Sequence, residues 1–233
     1  MKRKTEKKSK SINKKDSIEQ KPLGLFNTWK TVMFDPLKFY EKLSPKIMYK
    51  EPSIFYLKIQ AITLGVIYFI GLLILAVFAL IFISLAEAVV SSPLGAISSG
   101  VVGIIILIAL LTYPVILLFS WGMLFVSVGI THLFVLMFGG KQGYVETFKT
   151  VAYSMAPQIF CIIPLVGWAA MIYMIVLQTM GIKLRQKLSW GKSVAVILLP
   201  MAILLVLFLV VYFLFIFSIL SASMAATATG GLS

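Results

Sequence analysis

Long apolar stretches, separated by short basic segments, make up most of the chain after residue 58. Between residues 59 and 140 the one charged side chain is Glu87, and residues 151–182 and 193–222 carry no charge. These runs exceed the roughly 18 residues that mark a membrane-spanning helix. A water-soluble domain would carry charge at short intervals, because its surface recurs every few residues of a helix or strand. The pattern therefore predicts an all-α integral membrane protein.

The lengths of the apolar stretches predict five transmembrane helices. Residues 151–182 would measure about 48 Å as one straight helix, against a hydrocarbon core of about 30 Å. Pro164 and Gly167 provide a turn signal inside this stretch, so we expect a short proline-broken hairpin shielded by the longer helices. The predicted spans are about 58–85, 101–138, 151–163, 165–182 and 193–222.

Prolines in the second and last spans affect this division. We prefer one long second span that continues into the membrane interface. Pro114 and Gly122 leave open its division into two spans, and 151–182 would then be a single span, which again gives five. Pro200 should bend the last helix.

Basic residues fall on one side of the membrane in the five-span arrangement. Lys141 and Lys149 follow the second span, and four basic residues between 183 and 192 follow the hairpin, whereas 86–100 and 223–233 contain none. Cytoplasmic loops are enriched in lysine and arginine. We therefore expect a cell-membrane protein with a cytoplasmic N-terminus and a short external tail at 223–233.

The basic head of the chain divides into a tail and an amphipathic segment. Fifteen of the 21 Lys and Arg residues precede residue 59, and residues 1–22 are lysine-rich with few apolar side chains, which predicts a disordered cytoplasmic tail. Such a tail would attract anionic lipids, with each lysine contributing about 1 kcal/mol, or would simply hold the N-terminus inside.

Residues 23–56 place apolar side chains at helical spacing, which predicts amphipathic helices in the membrane interface. Pro36 should begin the second of these helices, with Asp35 as its cap. The side chains expected at the membrane interface are Trp29, Phe34, Phe39 and Tyr40.

Side chains suited to catalysis or metal binding are scarce. His132 is the one histidine, Cys161 the one cysteine, and the membrane body has two acids, Glu87 and Glu146. Neither a catalytic triad nor a metal cluster can be assembled from these. We expect no enzyme activity and no cofactor or metal, with His132 in an interfacial or helix-packing role and Cys161 as a small buried hydrophobe. The net charge of +13 lies mainly on the tail, without a nucleic-acid motif, so we expect no nucleic-acid partner.

Several short motifs occur in a fixed order. Residues 131–199 contain THLF, GGKQG, AYSMAP, PLVG and LSWGKSVAV, and TWKTVMFDPLKFYEKL precedes the first span. Over about residues 26–222 this combination resembles the Yip domain family, the Ypt/Rab-interacting proteins, in its prokaryotic form. The residues that carry the resemblance are Pro36, His132, Gly139, Gly140, Gly143, Tyr153, Pro157, Pro164, Gly167 and Gly181.

The resemblance implies a five-span membrane domain with a cytoplasmic N-terminus and no enzyme activity. Eukaryotic relatives bind prenylated Rab-type GTPases through surfaces that include the N-terminal region. This chain has a lysine-rich leader there and no DLYGP-like element. GTPase binding is therefore not carried over.

Three functions follow as hypotheses. The first is a non-enzymatic membrane protein that organises anionic lipid or recruits protein partners at the cytoplasmic face through its tail and amphipathic segment. The second is a transporter for a neutral or hydrophobic solute that uses the broken hairpin at 151–182. The third, a GTPase-linked scaffold, rests on family analogy alone. Homo-oligomers are compatible with each.

Overall fold

The computed structural model describes residues 24–89 and 94–230, which form helices joined by short links. The lysine-rich segment 1–22 lies outside the described residues. The α-helices are α1 (Leu25–Phe34), α2 (Pro36–Lys42), α3 (Lys50–Val89), α4 (Leu94–Met137), α5 (Tyr144–Ser154), α6 (Pro164–Gln186) and α7 (Trp190–Gly230), and a 3-10 helix (Ala156–Ile162) connects α5 to α6.

Four helices in the described residues are long and apolar enough to cross a membrane. The four stretches are Lys50–Leu85, Gly103–Met137, Pro164–Gln186 and Trp190–Ala222. The expected span 151–163 is not among them, because α5 ends at Ser154 and the chain continues as the 3-10 helix. The second stretch is one helix, as the preferred division expected, and α4 and α7 both continue through their prolines. The last helix also runs past its expected end at residue 222.

Residues 144–186 form a hairpin whose break lies where the sequence predicts it. Ile163 is extended, with φ −99° and ψ 113°, and α6 begins at Pro164. The hairpin consists of a first arm, α5 with the 3-10 helix, and a second arm, α6. They measure about 30 Å and 35 Å at 1.5 Å per residue of α-helix and 2.0 Å per residue of 3-10 helix.

The two arms of the hairpin run antiparallel and in contact. Cys161 lies against Gly167 at one end, and Thr147 bonds to Gln186 at the other. Residues 147–154 are all buried, because α3, α4 and α6 surround α5. Irregular backbone in a membrane requires this shielding.

Helices α1 and α2 pack against the hairpin. The indole Nε1 of Trp29 donates to the carbonyl of Ala156 over 2.9 Å, and the Tyr173 hydroxyl donates to the carbonyl of Met33. Val32 is completely buried, whereas Phe26 and Phe34 are exposed. Helix α1 therefore presents one face to the protein and the other to its surroundings.

Two of the expected membrane-interface residues are instead part of the protein core. Phe39 and Tyr40 are buried, and the Phe39 ring packs edge-on against Tyr153 at 4.9 Å. Their side of α2 faces the hairpin, so they do not reach lipid. Asp35 does precede α2, but its side chain makes no capping hydrogen bond and pairs instead with Lys38 at 3.4 Å.

The far ends of the long helices expose apolar side chains. Nearer their middles, helices α3 and α4 are joined by the Tyr113 hydroxyl, which donates to the carbonyl of Ala61 over 2.9 Å. Along α7, residues 201–222 are all exposed. Apolar exposure over this length is expected of helices solvated by lipid.

Candidate functional site

The link between α4 and α5 is a tight turn that needs glycine at two adjacent positions. Gly139 has φ +87°, a conformation that glycine adopts without strain. The Gly140 amide donates to the Val135 carbonyl over 2.8 Å, and a Cβ on Gly140 would overlap the Val135 side chain. The turn therefore brings the chain from α4 directly into α5, with Gly143 as the residue before the new helix.

Two glycines of α6 allow close contact within the hairpin. A Cβ on Gly167 would lie 3.2 Å from the Cα of Cys161. A Cβ on Gly181 would overlap the Thr150 methyl group and lie 2.9 Å from the Tyr40 ring. Gly181 is thus the point at which α2, α5 and α6 meet.

The remaining motif residues begin helices or fill the core between them. Pro36, Pro157 and Pro164 each lie in the first turn of their helix, where a missing N–H is tolerated. Tyr153 is buried against Phe55 and α2. These positions set where the elements begin and how they pack.

Tyr40 anchors α2 to the hairpin. Its side chain is fully buried, and its hydroxyl donates to the Thr150 carbonyl over 3.4 Å. Burial, with a smaller effect of Tyr153 and Tyr173 nearby, raises the pKa of Tyr40 far above its ordinary value. The hydroxyl therefore stays protonated and able to donate.

His132 joins α4 to the hairpin. Its Nδ1 lies 2.8 Å from the Thr147 hydroxyl, which also accepts from Gln186 Nε2 over 2.9 Å. Gln186 Oε1 in turn accepts from the backbone amide of Gln142 over 3.1 Å. This chain of hydrogen bonds ties α4, α5, α6 and the glycine turn together, in agreement with a helix-packing role for the histidine.

A buried ionic cluster, which sequence reasoning missed, lies beside these contacts. The Glu146 carboxylate binds Lys149 Nζ at 2.7 Å and Arg185 Nε at 2.6 Å. The Lys149 side chain is 0% exposed, and those of Arg185 and Glu146 are 13% and 16% exposed. The charge distribution had suggested that Lys149 and Arg185 were ordinary loop cations. The spacing of Glu146 and Lys149 by three residues was the one local signal of a pair.

The ionic cluster also holds the link between α2 and α3. Arg185 donates to the carbonyls of Tyr40 and Leu43, at 3.2 Å and 2.9 Å. Lys149 contacts those of Ser44 and Pro45, both at 3.4 Å. Carbonyls at the end of a helix have no partner within it, and cations there also complement the helix dipole. The cluster therefore closes α2 and fixes the entry to α3.

The site consists of packing contacts and of buried charges that are paired within the protein. Within residues 24–89 and 94–230, no three His, Cys, Asp or Glu side chains come together in a way that could hold a metal ion. The buried charges are matched to one another and to backbone carbonyls. Exposed lysines, among them Lys46, Lys141 and Lys187, lie on the links between helices.

Comparison with known proteins identifies the family. The model of the Yip1 domain matches residues 30–213, which includes all the glycines, prolines and polar residues described above. No curated protein and no solved structure matches the chain. The matched region covers most of the sequence, with three of the four apolar stretches long enough to cross a membrane and most of the fourth. This multi-pass membrane protein belongs to the Yip1 domain family.

Proposed function

We propose that this Yip1-domain protein is a non-enzymatic scaffold that organises anionic lipid or recruits protein partners at the cytoplasmic face of the cell membrane. The observation that carries the proposal is the distribution of charge over the fold. No lysine or arginine occurs between residues 59 and 140 or after residue 192. The remaining basic residues lie in the head, in the links between helices and in the helix turns beside them. Most of those that the structure describes are exposed.

The hairpin supports an arrangement with five membrane segments. The first arm of the hairpin is an α-helix followed by a 3-10 helix, and neither helix alone is long enough to cross a membrane. The two ends of the hairpin, at Gly143 and Gln186, nevertheless lie side by side. Passage into and out of the hairpin therefore returns the chain to the side from which it came. With α3, α4 and α7 as full crossings, the N-terminus is cytoplasmic and the C-terminus external, as the positive-inside rule favours.

Cysteine labelling tests this topology. In a chain with Cys161→Ala, a cysteine at Lys141 or Lys187 should react with a membrane-impermeant maleimide only after the cells are opened. A cysteine added after Ser233 should react in intact cells. Equal labelling of Lys141→Cys and the C-terminal cysteine in intact cells would contradict the arrangement. Blocking with a permeant maleimide provides the control for side chains that no reagent can reach.

The amphipathic segment contributes a smaller lipid-contacting surface than the sequence suggested. Phe34 is 71% exposed and Trp29 is half-buried, while Phe39 and Tyr40 are in the core. The surface that would insert into the cytoplasmic leaflet is therefore the outer face of α1, with Phe26 and Phe34 around Lys30. Such a face combines apolar insertion with attraction to anionic headgroups.

Purification from native membranes tests the proposed function. The full chain and a chain with the lysines of residues 1–22 replaced by glutamine are extracted in mild detergent, and bound proteins and lipids are identified by mass spectrometry. We expect an enrichment of anionic lipid or a stable protein partner with the full chain, reduced in the variant because attraction falls by about 1 kcal/mol per lysine removed.

A matched control keeps the charge of residues 1–22 but changes the order of these residues. A chain with the sequence of residues 1–22 scrambled should behave like the original, because attraction to a surface depends on charge rather than on order. Recovery of neither lipid nor protein would refute the scaffold. A neutral small molecule retained by both chains would instead favour transport through the broken hairpin.

A further inference from the structure

Two links between helices meet on the side of the protein that carries the loop lysines. The glycine turn after α4 contacts the end of α6 through Gln142 and Gln186. The first turn of α7 reaches the same place, since Lys192 Nζ would lie 4.0 Å from a Cβ on Gly139. The α4–α5 and α6–α7 links therefore form one continuous surface.

This surface is basic and has no acidic partner in the structure. We call Lys141, Lys183, Lys187, Trp190 and Lys192 the turn patch. The ion pairs found in the described part of the chain involve Lys38, Lys149 and Arg185, and none of the patch lysines. Glu146 is already bound to Lys149 and Arg185. The positive charge of the patch is thus not neutralised by an ion pair within residues 24–89 and 94–230.

Trp190 gives the patch the character of a membrane interface. The residue is 48% exposed, and Lys183 Nζ lies over its ring at 4.1 Å from the ring centre. Tryptophan is enriched at the level of lipid headgroups, where one part of the ring is in contact with water and another with acyl chains. Exposed apolar side chains of the same helices, Met137 on α4 and Leu198 on α7, adjoin the patch along the chain.

Lys187 occupies a backbone conformation that favours glycine. Its φ is 54° and its ψ is 39°, in the left-handed region. The amides of Lys187 and Leu188 both donate to the Lys183 carbonyl, which closes α6 in the way that helices commonly end on glycine. A side chain here is strained, so a lysine at this position suggests a use for its charge that outweighs the strain.

We propose that the turn patch is a binding site for the headgroup of an anionic phospholipid. Cations at the links would bind the phosphate, and the exposed apolar sides of α4 and α7 would contact the acyl chains. A nucleic acid or an acidic peptide would use the charge but not the adjoining apolar surface. This inference rests on the proposed function, and it places the specific contact with anionic lipid in the folded domain rather than in the lysine-rich tail.

Lipid titration of the full chain in detergent tests the site. The probes are phosphatidylglycerol and phosphatidylcholine with the same acyl chains, and bound lipids are counted by native mass spectrometry. We expect the original chain to prefer phosphatidylglycerol. Combining Lys141→Gln, Lys187→Gly and Lys192→Gln should weaken that preference about 100-fold, at about fivefold per lysine. A control with Lys42→Gln, Lys46→Gln and Lys58→Gln removes the same charge from exposed positions elsewhere and should retain it.

Each outcome decides the question. A preference that survives in the patch variant, or that disappears equally in the control, overturns the site. A preference lost only when the lysines of residues 1–22 are replaced overturns the site but supports the scaffold. No preference in the original chain overturns both. Lys187→Gly alone should raise or preserve the unfolding temperature while weakening binding, which separates loss of the site from loss of the fold.

Discussion

Replacing Gly181 by alanine is expected to lower the free energy of unfolding by about 1–3 kcal/mol, and replacing it by leucine to lower it further. The added Cβ would overlap the Thr150 methyl group and approach the Tyr40 ring, both of them buried. Neither neighbour can move without disturbing α2 or α5, because Tyr40 and Thr150 are hydrogen-bonded to each other through the Thr150 carbonyl. Thermal unfolding in detergent, followed by size exclusion of the remaining folded protein, measures the effect.

Two further variants isolate the cause. Gly122→Ala in α4 adds the same methyl group where nothing lies within 4 Å, so it should be neutral or slightly stabilising. Thr150→Ser removes the methyl group that Gly181→Ala would strike and keeps the hydroxyl that donates to the Glu146 carbonyl. The pair Gly181→Ala with Thr150→Ser should recover part of the lost stability. Equal unfolding temperatures for Gly181→Ala and Gly122→Ala would show that the contact is unimportant.

Apolar run length and proline position carry most of the information that the sequence holds about this fold. Runs without charge located α3, α4 and α7, and Pro164 located the break in the hairpin. The first arm was expected to be a continuous helix, because its residues are apolar enough to cross a membrane. Its change to a 3-10 helix at Ala156 depends on the contacts of α3, α1 and α6 around it, which no local pattern reveals.

The sequence could identify the apolar face of α2 but not what covers it. Lipid and protein interior are equally apolar, so a hydrophobic stripe does not distinguish the two. Phe39 and Tyr40 were therefore predicted to face lipid, and they pack instead against the hairpin. Gly181 was a partial signal of this packing, since a glycine within a long helix often marks the close approach of another chain segment. Its partner on α2 could not be named in advance.

Counting charges along the sequence did not predict the buried ionic cluster, for a related reason. Glu146 and Arg185 are 39 residues apart in the chain, so no helical spacing connects them. The positive-inside rule uses only the number and position of cations, and it treats a buried Arg185 and an exposed Lys187 alike. The distinction matters for function, because the buried cations hold the fold together while the exposed ones remain available to a partner.

Replacing Glu146 by glutamine is expected to lower the free energy of unfolding by about 3 kcal/mol. The change leaves Lys149 and Arg185 without a counter-charge in a site where all three side chains are at most 16% exposed. Removing one partner of a buried ion pair typically costs about 3–5 kcal/mol. The low end applies here, because the backbone carbonyls that accept from both cations remain in place. Glu41→Gln removes an exposed carboxylate of α2 and provides the control, which should change stability little.

A double variant shows whether the loss comes from an unpaired charge. Adding Lys149→Met to Glu146→Gln removes one of the two cations left without a counter-charge, so the double variant should be more stable than the sum of the two single changes predicts. Arg185→Lys should also be destabilising, because one ammonium group cannot reproduce the guanidinium contacts. In these, Nε and Nη2 reach Glu146 while Nη1 donates to the carbonyls of Tyr40 and Leu43. Hydrogen exchange then locates the damage. If the cluster closes α2, hydrogen exchange should rise first at residues 36–47. If the free-energy changes of the two single variants simply add, and exchange at residues 36–47 does not rise, the three charges act independently of the α2–α3 link.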